Sequence, residues 1–97
     1  MNIALPLTQI AVKIIKEQAL IIGPLAWSEA KKVQGLSIID SVKGEVAFSD
    51  NDQKEVVNRL VSQYDKLFGR ASREVCRDAV VSLIADLTPS EIPSSLA

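Results

Sequence analysis

The chain has 97 residues, a length typical of one domain, and its 47% apolar and 24% charged residues exclude wholesale disorder. With 11 basic and 12 acidic residues the formal net charge is −1, so charge alone gives no reason to expect nucleic acid or an anionic membrane as a partner. Histidine is absent and Cys76 is the single cysteine, which excludes histidine-dependent catalysis, an intramolecular disulfide and a cysteine-based zinc site.

The compartment is predicted from three features of the sequence. The longest apolar stretch, residues 19–27, is much shorter than the about 20 residues that a membrane-spanning helix needs. No basic region precedes an apolar core at the N-terminus, so we predict no signal peptide. The single thiol fits a reducing compartment. We therefore expect a cytoplasmic protein that does not use a membrane as a partner.

The first predicted element is an amphipathic helix over residues 7–22. Apolar residues recur every three or four positions from Leu7 onwards, and Pro6 suits a position near a helix start, where its missing N–H costs little. Polar residues, among them Gln18, are predicted to occupy the opposite, solvated face.

Gly23 and Pro24 are predicted to end or kink that helix, because proline removes a hydrogen bond and disfavours helical backbone angles in the residue before it. A second apolar stripe then runs through Trp27, and Gly35 suits a helix stop. We predict that Glu29, beside the lysines of this segment, is solvated.

Residues 36–49 allow two interpretations. One is a helical turn that ends at Gly44, and the other is a short hairpin with its turn at Lys43-Gly44. We favour the short helix. The apolar residues that support the helix are Ile38, Ile39 and Val42, and those that support the hairpin are Val42, Val46 and Phe48.

The second half of the chain predicts two further helices separated by Gly69. The cluster from Ser49 to Asp52 is rich in capping residues, and Asp52 with Glu55 resembles a capping box at the start of a long helix. The predicted fold is therefore all-α, with about four main helices in a small bundle over residues 1–88. The proline- and serine-rich segment 89–97 is predicted to be a flexible tail.

A shift of 46 residues aligns the two halves. It places Gly23 on Gly69 and Ile14 on Leu60, and it keeps the apolar pattern at low identity. This alignment favours a duplication, with 7–39 and 53–85 as pseudo-repeated helical hairpins around a pseudo-twofold axis, joined by a short middle segment. The alternative is that any two amphipathic helix pairs can be aligned on their core positions.

Two short motifs carry a family resemblance. The run Ile22-Gly23-Pro24-Leu25-Ala26 after an amphipathic helix, with Ile92-Pro93 near the end, resembles a small helical accessory domain at the ends of bacterial signalling proteins. Such domains are found notably in cyanobacterial serine/threonine kinases and response-regulator-like proteins. The second half departs from the pattern, since Arg70 stands where the proline would be. The resemblance implies an interaction module without established catalytic residues.

The candidate chemistries are weak, and we predict no catalytic residue, cofactor or metal site. Pro24 lacks the N–H that a phosphate loop needs, and Cys76 has no histidine to activate it and lies on an apolar stripe. The acidic cluster that begins at Asp50 lacks the glycine and terminal glutamate of a calcium loop, so helix capping is the better interpretation.

The candidate interface residues are one aromatic residue and a set of basic residues that form one edge. Trp27 is either a core residue or a binding hot spot. The basic edge consists of Lys66, Arg70, Arg73 and Arg77. Because Glu74 and Asp78 share its helix, a solvated face is the first interpretation of this edge, an acidic protein partner the second and nucleic acid the third. We expect a non-catalytic protein–protein interaction or oligomerisation module in bacterial signalling or regulation, whose partner is another protein or a second copy of itself in a homodimer. The alternative is a small nucleic-acid-binding regulator that uses Arg70, Arg73 and Arg77.

Overall fold

The computed structural model describes residues 7–49, 51–84 and 93, without the side chains of 71–73 and 82–84. Within these residues the chain forms four helices and a two-stranded antiparallel sheet. The elements in chain order are α1 (Leu7–Ile22), α2 (Leu25–Ala30), β1 (Leu36–Asp40), β2 (Glu45–Phe48), α3 (Gln53–Phe68) and α4 (Arg70–Ile84).

The all-α prediction is wrong, because residues 36–48 form a hairpin of β1 and β2 and not a helical turn. Leu36 pairs with Phe48 and Ile38 with Val46, and these apolar pairs pack towards the core while Ser37 between them is exposed. This alternation has the period of two that a half-buried strand requires. The fold is therefore mixed α/β, dominated by its helices.

The turn of the hairpin is stabilised by Asp40. Its carboxylate oxygen Oδ1 accepts hydrogen bonds from the backbone N–H groups of Val42 at 2.9 Å and Lys43 at 3.0 Å. A side chain that bonds the backbone two and three residues later is a typical turn former. The register shifts between Ile38 and Asp40, which leaves Ile39 as the extra residue of a β-bulge.

The predicted break after the first helix is confirmed. The helix α1 ends at Ile22, Gly23 has a φ angle of +68°, and Pro24 lies immediately before α2. The predicted cap of the third helix is also confirmed, because the side chain of Asp52 accepts a hydrogen bond from the N–H of Glu55 at 3.2 Å.

The helices α1 and α3 bury equivalent positions of their sequences. Each buried residue of α3 follows its counterpart in α1 by the same 46 residues. In addition α1 packs along α4, and α2 packs against α3, so each half contacts the other crosswise. The duplication stays a prediction, but this is the packing expected of two halves around a pseudo-twofold axis. The buried residues are Ile10, Ala11, Ile14, Ile15 and Gln18 in α1, and Val56, Val57, Leu60, Val61 and Tyr64 in α3.

The predicted tail, residues 89–97, lies outside the described residues except for Pro93, which is buried. The end of the predicted second repeat at residue 85 also lies outside them. No helix in the described part of the chain is long and apolar enough to cross a membrane.

Candidate functional site

Trp27 lies in α2 and is half-buried, packed against the core cluster. Packing against the core is sufficient to explain a tryptophan at this position, since tryptophan is usually well buried in a folded domain. Its predicted role in an interface stays a prediction.

The predicted basic edge is divided between two helices. Lys66 is exposed near the end of α3, whereas Arg70 begins α4 after the break at Gly69, and Arg77 is exposed farther along α4. The side chain of Arg73 lies outside the described residues. The acids of the same helix, Glu74 and Asp78, are exposed as well, so α4 presents charges of both signs.

Instead, the structure brings Lys66 together with cations that the sequence did not connect to it. Lys66, Arg59 and Lys32 line a pocket of about 260 Å³ between α3 and the chain that follows α2. Arg59 donates a hydrogen bond from Nη1 to the backbone oxygen of Gln34 at 3.1 Å, which holds that chain against α3. The seven-residue spacing of Arg59 and Lys66 already places both on one face of α3. The approach of Lys32 and Gln34 depends on packing between distant segments, which no local sequence signal predicts.

Glu29 stands beside this pocket and is buried, with 6% of its surface exposed, so the prediction that it is solvated is wrong. One carboxylate oxygen accepts from Lys32 Nζ at 2.9 Å, and the other accepts from Gln63 Nε2 at 2.8 Å. The hydrogen bond from Lys32 is the main reason that the pKa of Glu29 is lowered from 4.5, followed by the hydrogen bond from Gln63. These two hydrogen bonds favour the ionised carboxylate and tie the segment of Glu29 and Lys32 to α3.

Two further polar groups are buried in the core. Tyr64 donates its hydroxyl to the backbone oxygen of Ala26 at 2.7 Å, and Gln18 donates from Nε2 to the sulfur of Cys76 at 3.3 Å. Gln18 was predicted on the solvated face, and that prediction is wrong. Burial raises the pKa of the Cys76 thiol to about 11, so the thiol is protonated near neutral pH and is a poor nucleophile.

Large apolar side chains are exposed where each long helix ends. The exposed fractions of these side chains run from 38% to 81%. We call this set the junction surface, and it consists of Leu20, Ile21, Leu25, Leu67 and Phe68.

The contacts between α2 and α3 place both parts of the junction surface at one end of the molecule. Along α3, Arg59 reaches Gln34, Gln63 reaches Glu29, and Tyr64 reaches Ala26, so the two segments run antiparallel. The next turn of α3 is therefore level with the turn between α1 and α2. Positions 21 and 67 are also equivalent under the 46-residue shift, so both halves contribute an exposed apolar residue at the same place in the unit.

The chain matches no family model, no curated protein and no solved structure. Within the described residues, no group of three or more cysteine, aspartate or glutamate side chains is arranged to hold a metal ion. The fold and its surfaces define a small helix-rich α/β domain with an apolar end.

Proposed function

We propose that this protein is a non-catalytic protein–protein interaction module that associates with a second copy of itself through the junction surface. The carrying observation is the concentration of exposed large apolar side chains at one end of a small domain. Fully burying one such side chain contributes about 1.5–3 kcal/mol, so pairing two junction surfaces offers a substantial gain in free energy. Apolar surface exposed in this way is typical of a protein–protein contact.

The charges near this end also support self-association. Lys66 and Arg70 flank Leu67 and Phe68, and in α4 Arg70 precedes the exposed acids Glu74 and Asp78. Mixed charges around an apolar centre are the usual composition of a protein interface, whose rim is polar. On the strength of the family resemblance, we propose a role in bacterial regulation or signalling. The short apolar stretches and the single thiol support a cytoplasmic location.

Nucleic-acid binding has less support than self-association. The structure separates the predicted basic residues on two helices and exposes acids among them, and such acids oppose contact with a phosphate backbone. A labelled DNA or RNA probe that shifts with this protein and is released by added salt would favour the alternative.

Size-exclusion chromatography with light scattering, run over a range of protein concentrations, tests the proposal. We expect the mass to rise above that of the monomer with concentration, and a double variant, Ile21→Glu with Leu67→Glu, to stay monomeric. Both side chains are largely exposed, at 63% and 48%, so circular dichroism should show that the double variant keeps its fold.

Val81→Glu is the matched control, because Val81 is 62% exposed but lies near the end of α4, eleven residues beyond Arg70 and far along the helix from the junction surface. It should associate like the unchanged protein. A strict monomer at every concentration would refute self-association, and a double variant that still associates would show that the junction surface is the wrong surface.

A further inference from the structure

A groove of about 480 Å³ lies between α1 and the hairpin, and its lining contains no residue of the junction surface. This volume is within the roughly 300–1,000 Å³ that is usual for ligand sites. Its walls include Val12, Lys13 and Lys16 from α1, and Ile39, Glu45 and Val46 from the hairpin.

The floor of the groove is apolar because of the β-bulge. Ile38 and Val46 pair and pack towards the core, whereas Ile39, the extra residue, stays 63% exposed and lines the groove. Bulges commonly redirect a side chain in this way near functional sites. Ile39 therefore joins Val12 and Val46 to form one apolar strip.

Gly44 allows a lysine to lie across the end of the hairpin. A methyl group added at Gly44 would stand 2.8 Å from Cε of Lys16 and 3.3 Å from Cγ1 of Val12, both closer than carbon atoms normally approach. The missing side chain thus lets the stem of Lys16 cover the turn while its ammonium group stays at the groove.

The charge at the groove is positive on the α1 side. Lys13 forms an ion pair with Glu17 at 2.9 Å, but no acidic side chain among the described residues pairs with Lys16. Lys43 is exposed in the adjoining turn, and Glu45 stands on the hairpin side. An unpaired ammonium group beside an apolar strip favours a ligand that carries both a carboxylate and an apolar side chain.

We propose that this groove binds a short acidic segment of a partner protein, which places an apolar side chain on the strip of Val12, Ile39 and Val46 and a carboxylate on Lys16. The α1 wall runs from Thr8 to Lys16, about 12 Å at the 1.5 Å rise of a helix. An extended peptide of three or four residues spans that length. This site goes beyond self-association, since it takes a different partner on a different surface.

Fluorescence anisotropy with two labelled peptides tests the groove. The first peptide is Glu-Leu-Glu-Ile-Glu, and the second replaces each glutamate with glutamine. We expect the acidic peptide to bind saturably and at least tenfold more tightly than the glutamine peptide, with added salt reducing the difference.

The variants separate the apolar strip from the charge. Lys16→Glu should remove the preference for the acidic peptide, and Ile39→Ser should weaken both peptides. The matched controls are Lys31→Glu, an exposed lysine of the turn after α2, and Val42→Ser, whose side chain is 94% exposed in the hairpin turn outside the groove lining. Both controls should bind as the unchanged protein does.

Several results would overturn the groove as a peptide site. These are the lack of saturable binding at millimolar peptide, equal affinity for both peptides, or full binding by Lys16→Glu. The double variant Ile21→Glu with Leu67→Glu must bind the acidic peptide normally, because a loss there would place the peptide on the junction surface. A loss of self-association in Lys16→Glu would instead show that a second copy fills the groove.

Discussion

The two long helices, α1 and α3, match each other closely, and the chain that follows each of them does not. Each helix has 16 residues and ends before a glycine with a positive φ angle, +68° at Gly23 and +84° at Gly69. After Gly23 the chain forms the 6-residue α2 and then turns into the hairpin, whereas after Gly69 it forms the 15-residue α4. The two halves therefore share the long helix and the glycine that follows it, and the residues after the glycine determine the local fold.

One buried polar position shows how the two halves are tied together. Gln18 and Tyr64 are equivalent under the 46-residue shift, and both are fully buried. Each reaches into the opposite half, Gln18 to the sulfur of Cys76 and Tyr64 to the backbone oxygen of Ala26. At this position each half uses a different side chain to form a hydrogen bond to the other half, because a buried polar group needs a hydrogen-bond partner.

The largest expected effect tests whether both halves contribute equally to the core. Ile14 and Leu60 are equivalent positions, and neither has any exposed surface. Ile14→Ala and Leu60→Ala should each lower the free energy of unfolding by about 2–5 kcal/mol, because each removes apolar contacts and leaves a cavity. Urea denaturation followed by circular dichroism measures both values.

Val42→Ala is the control for this pair, since Val42 is 94% exposed and its loss should change stability by less than about 0.5 kcal/mol. If Ile14→Ala or Leu60→Ala behaved like this control, the two helices would not share one core, and the equivalence of the halves would fail.

The next effect concerns another place where the two halves differ in buried chemistry. Cys76 is equivalent to Ala30, and burial raises the pKa of its thiol from 9.0 to about 11. The folded state therefore holds this proton more tightly than the unfolded chain. The resulting stability is fully present below pH 9 and is lost as the pH rises towards 11, at about 1.4 kcal/mol per pH unit.

Cys76→Ala gives the second half the residue of the first and removes this titration. The variant should be less stable near neutral pH by about 1–3 kcal/mol, because Gln18 loses its sulfur partner. Between about pH 9 and pH 11 the gap to the unchanged protein should narrow, as measured by urea denaturation at several pH values. Burial is the main cause that raises the pKa of Tyr64, and Cys76 raises it further, so Cys76→Ala also removes that second contribution. If the difference in stability stayed constant with pH, burial would not raise the pKa of the Cys76 thiol.

The helices could be predicted from the sequence because their signals are local. The apolar period, the break at Gly23-Pro24 and the cap at Asp52 all act within one or two turns, and the structure confirms them. The hairpin was mispredicted because the bulge at Ile39 puts two apolar residues side by side, and Val42 continues that pattern into the turn. Ile38, Ile39 and Val42 therefore have the spacing of one helical turn, although Asp40 and Gly44 are typical residues of a hairpin turn.

The candidate site was harder to predict, because its contacts join segments that are distant in sequence. Glu29 looked solvated beside its lysines, yet the antiparallel packing of α2 on α3 buries it against Gln63. The junction surface has the same cause, since Ile21 and Leu67 are apolar residues near the ends of their helices that the packing leaves largely exposed. Periodicity identifies an apolar residue, but only the packing shows whether anything covers it.

The smallest effect compares the two glycines themselves. A methyl group added at Gly23 or Gly69 meets no atom within 4 Å, so the cost of Gly23→Ala and Gly69→Ala comes from backbone strain and not from collision. Left-handed backbone costs an alanine about 1–2 kcal/mol. Gly69 combines its positive φ with a ψ of −169°, a region that is nearly restricted to glycine, so Gly69→Ala should cost about 1 kcal/mol more than Gly23→Ala. Thermal and urea unfolding of the two variants, with Ser28→Ala on the exposed face of α2 as the control, would measure the difference. Equal losses would mean that the two breaks share one backbone conformation in solution, which would make the two halves more alike than α2 and α4 suggest.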